Sequence, residues 1–138
     1  MVRMILRRLP ALSLGGLAIF MTACASVPQP PEEAVRVRAE AWLEALMQYD
    51  VDAIYSYTDP AYRSAHSARF YSKNYAGRNM WISAALGDIQ CDAADDFGVC
   101  KVDVLATYRG FNMKEDMTTT LRETWVAVDG VWYTQPRQ

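Results

Sequence analysis

Residues 83–91 read Ser83-Ala84-Ala85-Leu86-Gly87-Asp88-Ile89-Gln90-Cys91, and residues 100–108 read Cys100-Lys101-Val102-Asp103-Val104-Leu105-Ala106-Thr107-Tyr108. Both stretches alternate apolar and polar side chains, the period of a half-buried strand. Placing Cys91 opposite Cys100 fixes the register by counting. One face then pairs Ile89 with Val102, Gly87 with Val104, Ala85 with Ala106 and Ser83 with Tyr108. The other pairs Gln90 with Lys101, Asp88 with Asp103, Leu86 with Leu105 and Ala84 with Thr107. The first face is apolar almost throughout and the second is mixed, as an antiparallel sheet wet on one side requires. Further on, Asp129-Gly130 is a type I′ turn signal; it sets Ala127 against Trp132 and Val126 against Tyr133. Everything after Trp81 therefore reads as antiparallel strand.

Upstream of the strands the spacing changes to three and four. Val35, Ala39, Trp42, Ala45, Leu46 and Tyr49 form one apolar stripe, so residues 32–49 are expected to be helical. Pro31 suits a first turn, and Glu32 and Glu33 complement the helix dipole. Arg36 and Glu40 can pair on the wet side. Asp50 can cap a short second helix through Ile54 and Tyr57, which Asp59-Pro60 ends. Ser64 is the expected cap of a third helix running to about Asn74, with Gly77 at its stop. The expected class is α+β: three N-terminal helices packed on a curved antiparallel sheet of about four strands.

The first ten residues hold Arg3, Arg7 and Arg8 and no acid. The apolar run Ala11–Met21 that follows spans about 16 Å as a helix, too short for a bilayer core of about 30 Å. A basic segment, a short apolar segment and then small residues read as a secretory signal, residues 1–23. Met21-Thr22-Ala23-Cys24 resembles the bacterial lipobox. That resemblance implies cleavage before Cys24, lipid on Cys24 and, with Ala25-Ser26 next, sorting to the outer membrane facing the periplasm. Residues 24–31, with Pro28, Pro30 and Pro31, are then a stiff lipidated tether, and 32–138 a single domain. Without the signal, eleven Lys and Arg face sixteen Asp and Glu, near −5 overall with His66 neutral. An acidic domain with scattered Arg excludes nucleic acid as a partner class.

With Cys24 given to lipid, Cys91 and Cys100 are an even pair in an oxidising compartment, which favours a disulfide. Two Cys and one distant His are a poor zinc set, and no metal or cofactor is expected.

The order of several short motifs resembles the nuclear-transport-factor-2-like (cystatin-like cone) superfamily. They are Arg38-Ala39-x-x-Trp42-Leu43-x-Ala45-Leu46, Asp52-x-x-x-Tyr55, Asp59-Pro60-Ala61-Tyr62-Arg63 and Trp125-x-x-x-Asp129-Gly130-x-Trp132-Tyr133, spanning about residues 32–135. The resemblance implies a cone with a cavity between the long helix and the concave sheet. Its members include isomerase-like and dehydratase-like enzymes, ligand carriers and assembly modules, so function has to be argued from the site.

Candidate chemistry is sparse. His66, the sole imidazole, is a candidate general base, against the reading of a solvated helix-end residue. Asp59 is the carboxylate that could orient it. Asp103, opposite Asp88 in the proposed register, is a further catalytic candidate, against a wet strand face beside Lys101. Asp92, Asp95 and Asp96 match a calcium loop in composition but lack its spacing and closing Glu. Among many aromatics, Trp42, Tyr62, Tyr108 and Trp125 are the candidates for lining an apolar pocket, against a place in the core. The expected function is a non-enzymatic module holding a hydrophobic small ligand or an envelope protein. The alternative is an isomerase, dehydratase or hydrolase using a His/Asp/Tyr set, and a homodimer through an apolar sheet face is a third reading.

Overall fold

A computed structural model describes residues 29–92 and 98–136. The signal segment, Cys24, most of the tether, Asp95 and Asp96 lie outside those residues. Helix α1 runs Pro31–Gln48 with Pro31 in its first turn, and it buries Val35, Ala39, Trp42, Leu43 and Leu46. That is the expected stripe with one departure. Tyr49 is the C-cap, in the left-handed region at φ 54°, and its side chain turns outward. Its N–H reaches back to the Ala45 and Leu46 carbonyls, closing the helix end. Arg36 and Glu40 form no ion pair among those seen in the described residues. Helix α2, Val51–Ser56, is capped by Asp50, whose carboxylate accepts from the Ala53 N–H at 3.0 Å.

The third expected helix does not form. Pro60 starts a helix as well as ending one: α3 is Pro60–Ala65, with Asp59 accepting from the Ala61 N–H. His66 is extended and breaks the run. Ser67 then caps α4, Ala68–Tyr71, and two 3₁₀ turns follow, Ser72–Tyr75 and Arg78–Met80. Ser64, the expected cap, lies inside α3, where its hydroxyl donates to the Ala61 carbonyl at 2.7 Å. Four α-helices thus stand where three were expected, the short α3 and α4 replacing the third, because Asp59-Pro60 and Ser67 each open a turn that the apolar spacing alone does not reveal. No helix among the described residues is long and apolar enough to cross a membrane.

The strands are β1 Trp81–Asp92, β2 Val99–Tyr108, β3 Met117–Val128 and β4 Val131–Gln135, antiparallel in that order. Cys91 and Cys100 face each other and are disulfide-bonded. The counted register holds for Ile89↔Val102 and Gln90↔Lys101, then slips. Gly87 and Asp88 together oppose Asp103, a β-bulge, so Leu86 meets Val104 and Ala84 meets Ala106. The backbones come close there: a Cβ on Gly87 would sit 3.3 Å from the Asp103 Cβ. A second bulge at Ile82 brings Trp81 opposite Tyr108. The inward residues of β1 are therefore Cys91 and Ile89, then Leu86 and Ala84, then Trp81, all packed against the core. Counting could not find this, since each bulge moves the pattern to the other parity. The Asp129-Gly130 turn forms with both residues at positive φ, and its pairs Ala127↔Trp132 and Val126↔Tyr133 are those expected.

The inner sheet face presents Cys100, Val102, Val104, Ala106, Trp125 and Trp132, and α1 lies across it. Trp42 meets Trp125 edge-on at 6.0 Å and Tyr75 at 5.9 Å. The expected hollow cone is filled by these rings.

A candidate binding cleft at the far end of the sheet

The polar atoms of the packed interior are organised around Tyr71. Trp42 Nε1–H donates to the Tyr71 hydroxyl at 3.4 Å, and that hydroxyl donates to Tyr75 at 3.4 Å. Glu123, on the same inner face, is 2% exposed and is itself engaged. Burying an indole N–H and two phenols is tolerable when they satisfy one another. Space for a ligand is therefore left at the ends of the structure and not at its centre.

Two ends differ. The first turns of α1 lie beside the β3–β4 hairpin, where Arg38 Nε donates to the Trp132 carbonyl and its guanidinium stacks on Tyr57 and Tyr133. At the other end of α1, Arg78 Nε donates to the Leu46 carbonyl at 2.7 Å, which serves the helix C-terminus and pins the last 3₁₀ turn. That turn walls a cleft of about 260 Å³ lined by Asn74, Tyr75, Gly77, Arg78, Met80, Trp81, Tyr108, Thr119 and Leu121. Arg78, Asn74, Thr119 and two tyrosines share the lining with the apolar Met80, Trp81 and Leu121. The volume lies just under the usual range for small-molecule sites, roughly 300–1,000 Å³. Exposed apolar residues border it in sequence and across the sheet: Met80, Ile82 (53% exposed), Met117 and, on the following turn, Phe111 (95% exposed). A wider groove of about 430 Å³ between α1 and β1 is lined in part by Arg36, Glu40 and Glu44 and is more open.

The residues singled out from sequence do not converge. His66 stacks between Tyr62 (4.2 Å) and Phe70 (5.1 Å), with Nδ1 3.2 Å from the Tyr62 carbonyl. It closes α3 and faces no cavity described here. Asp59 is a helix cap. Asp103 lies on the outer sheet face, held by two guanidinium nitrogens of Arg122, Nε at 2.7 Å and Nη2 at 3.0 Å. That bond keeps its carboxyl below the usual carboxylate range. Asp88 sits in the bulge and is exposed. Trp42 and Trp125 are core, at 1% and 0% exposure. Tyr62 is half-buried; burial, then Tyr71, push its phenol pKa up. Of all these, Tyr108 alone lines the cleft.

Arg78, Met80, Thr119 and Leu121 were not singled out. The Gly77-Arg78-Asn79-Met80 stretch reads as a helix stop, and only the fold brings it against β3. Among the described residues no group of three His, Cys, Asp or Glu could hold a metal.

The chain matches no protein-family model and no curated protein. Among solved structures it is similar to the solution structure of a SEC-C motif containing protein from Rhodopseudomonas palustris. The two are 19% identical, with a TM-score of 0.50, over 77% of this chain and 75% of that one. At that identity the likeness concerns the fold alone. It does not support the cone-shaped, three-helix fold expected from the motifs, and the observed four helices over a filled sheet face correct that expectation. The quoted motifs are generic parts: Trp42 and Leu46 are core, Asp59 is a cap and Asp129-Gly130 is a hairpin turn. Any helix layer on an antiparallel sheet can use them in that order, so their order did not identify a superfamily.

Proposed function

We propose that this chain is a non-enzymatic binding module, held by lipid at Cys24 on the periplasmic face of the outer membrane. Its far-end cleft receives one small apolar group, the side chain of an envelope protein or a compact hydrophobic ligand. The observation that carries this reading is the cleft of Tyr75, Trp81, Tyr108 and Leu121, bordered by Met80 and Ile82, with Phe111 fully exposed on the same end. Exposed aromatic and methionine side chains beside a pocket are the composition of a contact surface. The scatter of His66, Asp59 and Asp103 supports binding over catalysis. Geometry supports it too, since α1 has 18 residues and separates tether from cleft by about 27 Å at 1.5 Å per residue. A cleft at that end faces away from the anchoring surface.

The test is a titration of the purified protein with anilinonaphthalenesulfonate, an aromatic anion suited to an apolar site with one Arg. Saturable binding is expected, weakened about tenfold by Met80→Arg, a loss of about 1.4 kcal/mol. Val131→Arg, at the opposite end, should leave it unchanged. Equal binding by both variants would remove the cleft from consideration. For the anchor, radiolabelled palmitate should label the wild type and not Cys24→Ala; a labelled Cys24→Ala would refute it.

A further inference from the structure

β3 has 12 residues and β4 has 5, and their ladder ends at Thr124↔Gln135. Pro136, which has no N–H, follows. Met117–Arg122 are therefore laddered to β2 on one side and to no strand on the other among the described residues. The direction of the free groups can be worked out. The Ala127 N–H donates toward β2, to the Gly98 carbonyl at 3.1 Å. Antiparallel pairing alternates sides, so Thr118, Thr120 and Arg122 aim their N–H and C=O groups at the open edge.

The other edges are guarded. β1 carries two bulges. The outer side of β4 is covered by the segment after α2, where the Asp59 N–H donates to the Thr134 carbonyl (2.9 Å) and the Thr134 N–H to the Tyr57 carbonyl (2.7 Å). The β3 edge has no bulge, no proline and no covering segment among the described residues. Such an edge is a template for another strand.

We propose that a second copy of this chain pairs antiparallel with the β3 edge about a two-fold axis at Thr119. A two-fold axis normal to the sheet keeps inner residues opposite inner ones, which allows only a few registers. With Thr119 on the axis, Asp116 meets the partner's Arg122 and Thr118 meets the partner's Thr120 on the outer side. On the inner side, Met117 meets the partner's Leu121. Asp116 and Arg122 each find an opposite charge, extending the Arg109–Asp116 (2.7 Å) and Arg122–Asp103 pairs. The four would line up with alternating sign. Glu115, outside β3, falls opposite the partner's Glu123, whose side chain is buried and already engaged. Moving the axis to Thr120 sets Met117 against the partner's Glu123; moving it to Thr118 leaves Leu121 and Arg122 unpaired. Thr119 and Leu121 also line the cleft, so the partner's Met117 would extend its wall. The strand argument itself stands without any ligand.

Thr119 points its own amide at β2, which makes its meeting with the partner's Thr119 a non-hydrogen-bonded pair, Cα atoms about 4.5 Å apart. That lies within the span a disulfide bridges, roughly 4.4–6.8 Å. Full-length Thr119→Cys, exported and run on a non-reducing gel, should form a linked dimer whose mass is twice that of the chain. Thr118→Cys and Thr120→Cys should stay monomeric. Adding Thr120→Pro to Thr119→Cys removes an outward donor from each copy and should cut linkage about tenfold. An intact Cys91–Cys100 bond reports that this variant folds, and the three single cysteines decide the register without it. No linkage through Thr119→Cys, equal linkage through all three, or a different protein linked at 119 would each overturn the proposal. None of these outcomes depends on the cleft binding its probe.

Discussion

Tyr71 and Trp125 show what one hydroxyl or indole can be worth when buried. Tyr71→Phe keeps the ring but leaves the Trp42 N–H without its acceptor, and is expected to destabilise by about 1–3 kcal/mol in urea unfolding. The Trp125 N–H has no hydrogen-bond partner among the described residues, so Trp125→Phe costs packing volume and no hydrogen bond. Trp42→Ala empties the centre of the ring cluster, for about 3–5 kcal/mol. His66→Phe keeps the stack between Tyr62 and Phe70 and removes only the Nδ1 contact with the Tyr62 carbonyl, so it should cost no more than about 1 kcal/mol in urea unfolding; a larger loss would show that the imidazole does more. Asp103 gives a pH signature. Its folded pKa is lowered by Arg122, so its contribution is present above the carboxyl's unfolded value, about 3.9. It is lost as pH falls through the lower folded value. Melting curves of wild type and Arg122→Gln should therefore separate at neutral pH and converge in acid. At this scale the cap Asp50 and the disulfide pair were legible in sequence, because each acts on its own few residues; Asp59 read as a helix stop, and its capping of α3 was missed. The role of Arg78 was not, since its carbonyl partner is 32 residues away.

Among elements, α1 and the β3–β4 hairpin follow from spacing and turn chemistry, which are local. The region from Asp59 to Met80 was misread because its helices are too short to show a period. It is four turns held by Pro60, Ser67 and contacts with α2, including Tyr55, whose hydroxyl donates to the Arg63 and His66 carbonyls. The β1–β2 hairpin is stapled by a bond closing a nine-residue separation. The chain-entropy model gives that closure about 2.5–3 kcal/mol, so Cys91→Ala/Cys100→Ala should lose about that in urea unfolding. Gly130, at φ +76°, should cost about 1 kcal/mol on replacement by Ala, although a Cβ there meets nothing within 4 Å. Thermal unfolding of that variant separates backbone strain from packing.

For the whole molecule, the class of site turns on whether the space between helices and sheet is empty. Sequence counts the aromatic rings but cannot say whether they line a cavity or fill it, since both uses need large apolar side chains facing inward. Here Trp42, Tyr71, Tyr75 and Trp125 fill it. Binding is displaced to the end of the sheet, and its wall is assembled from the 3₁₀ turn, β1, β2 and β3 together. No single segment carries that site, so no motif could announce it. The open half of β3 has the same origin: the hairpin turn is written in Asp129-Gly130, but the early end of β4 at Pro136 matters only once β3 is seen to continue past it.

β1 spends 12 residues on a 10-residue partner, and the two bulges absorb the difference. The strand is thus two residues longer than its ladder requires, which makes it tolerant of shortening at two addresses and nowhere between. Excising Gly87 or Ile82 would regularise the ladder and leave Leu86, Ala84 and Trp81 facing inward. Excising Ala85 would turn Ala84 out to water and bring Ser83 in. Chains of this fold that differ in length along the first strand should therefore carry their gaps at those two positions. A deletion scan read by soluble yield would show two spared sites in an otherwise intolerant strand.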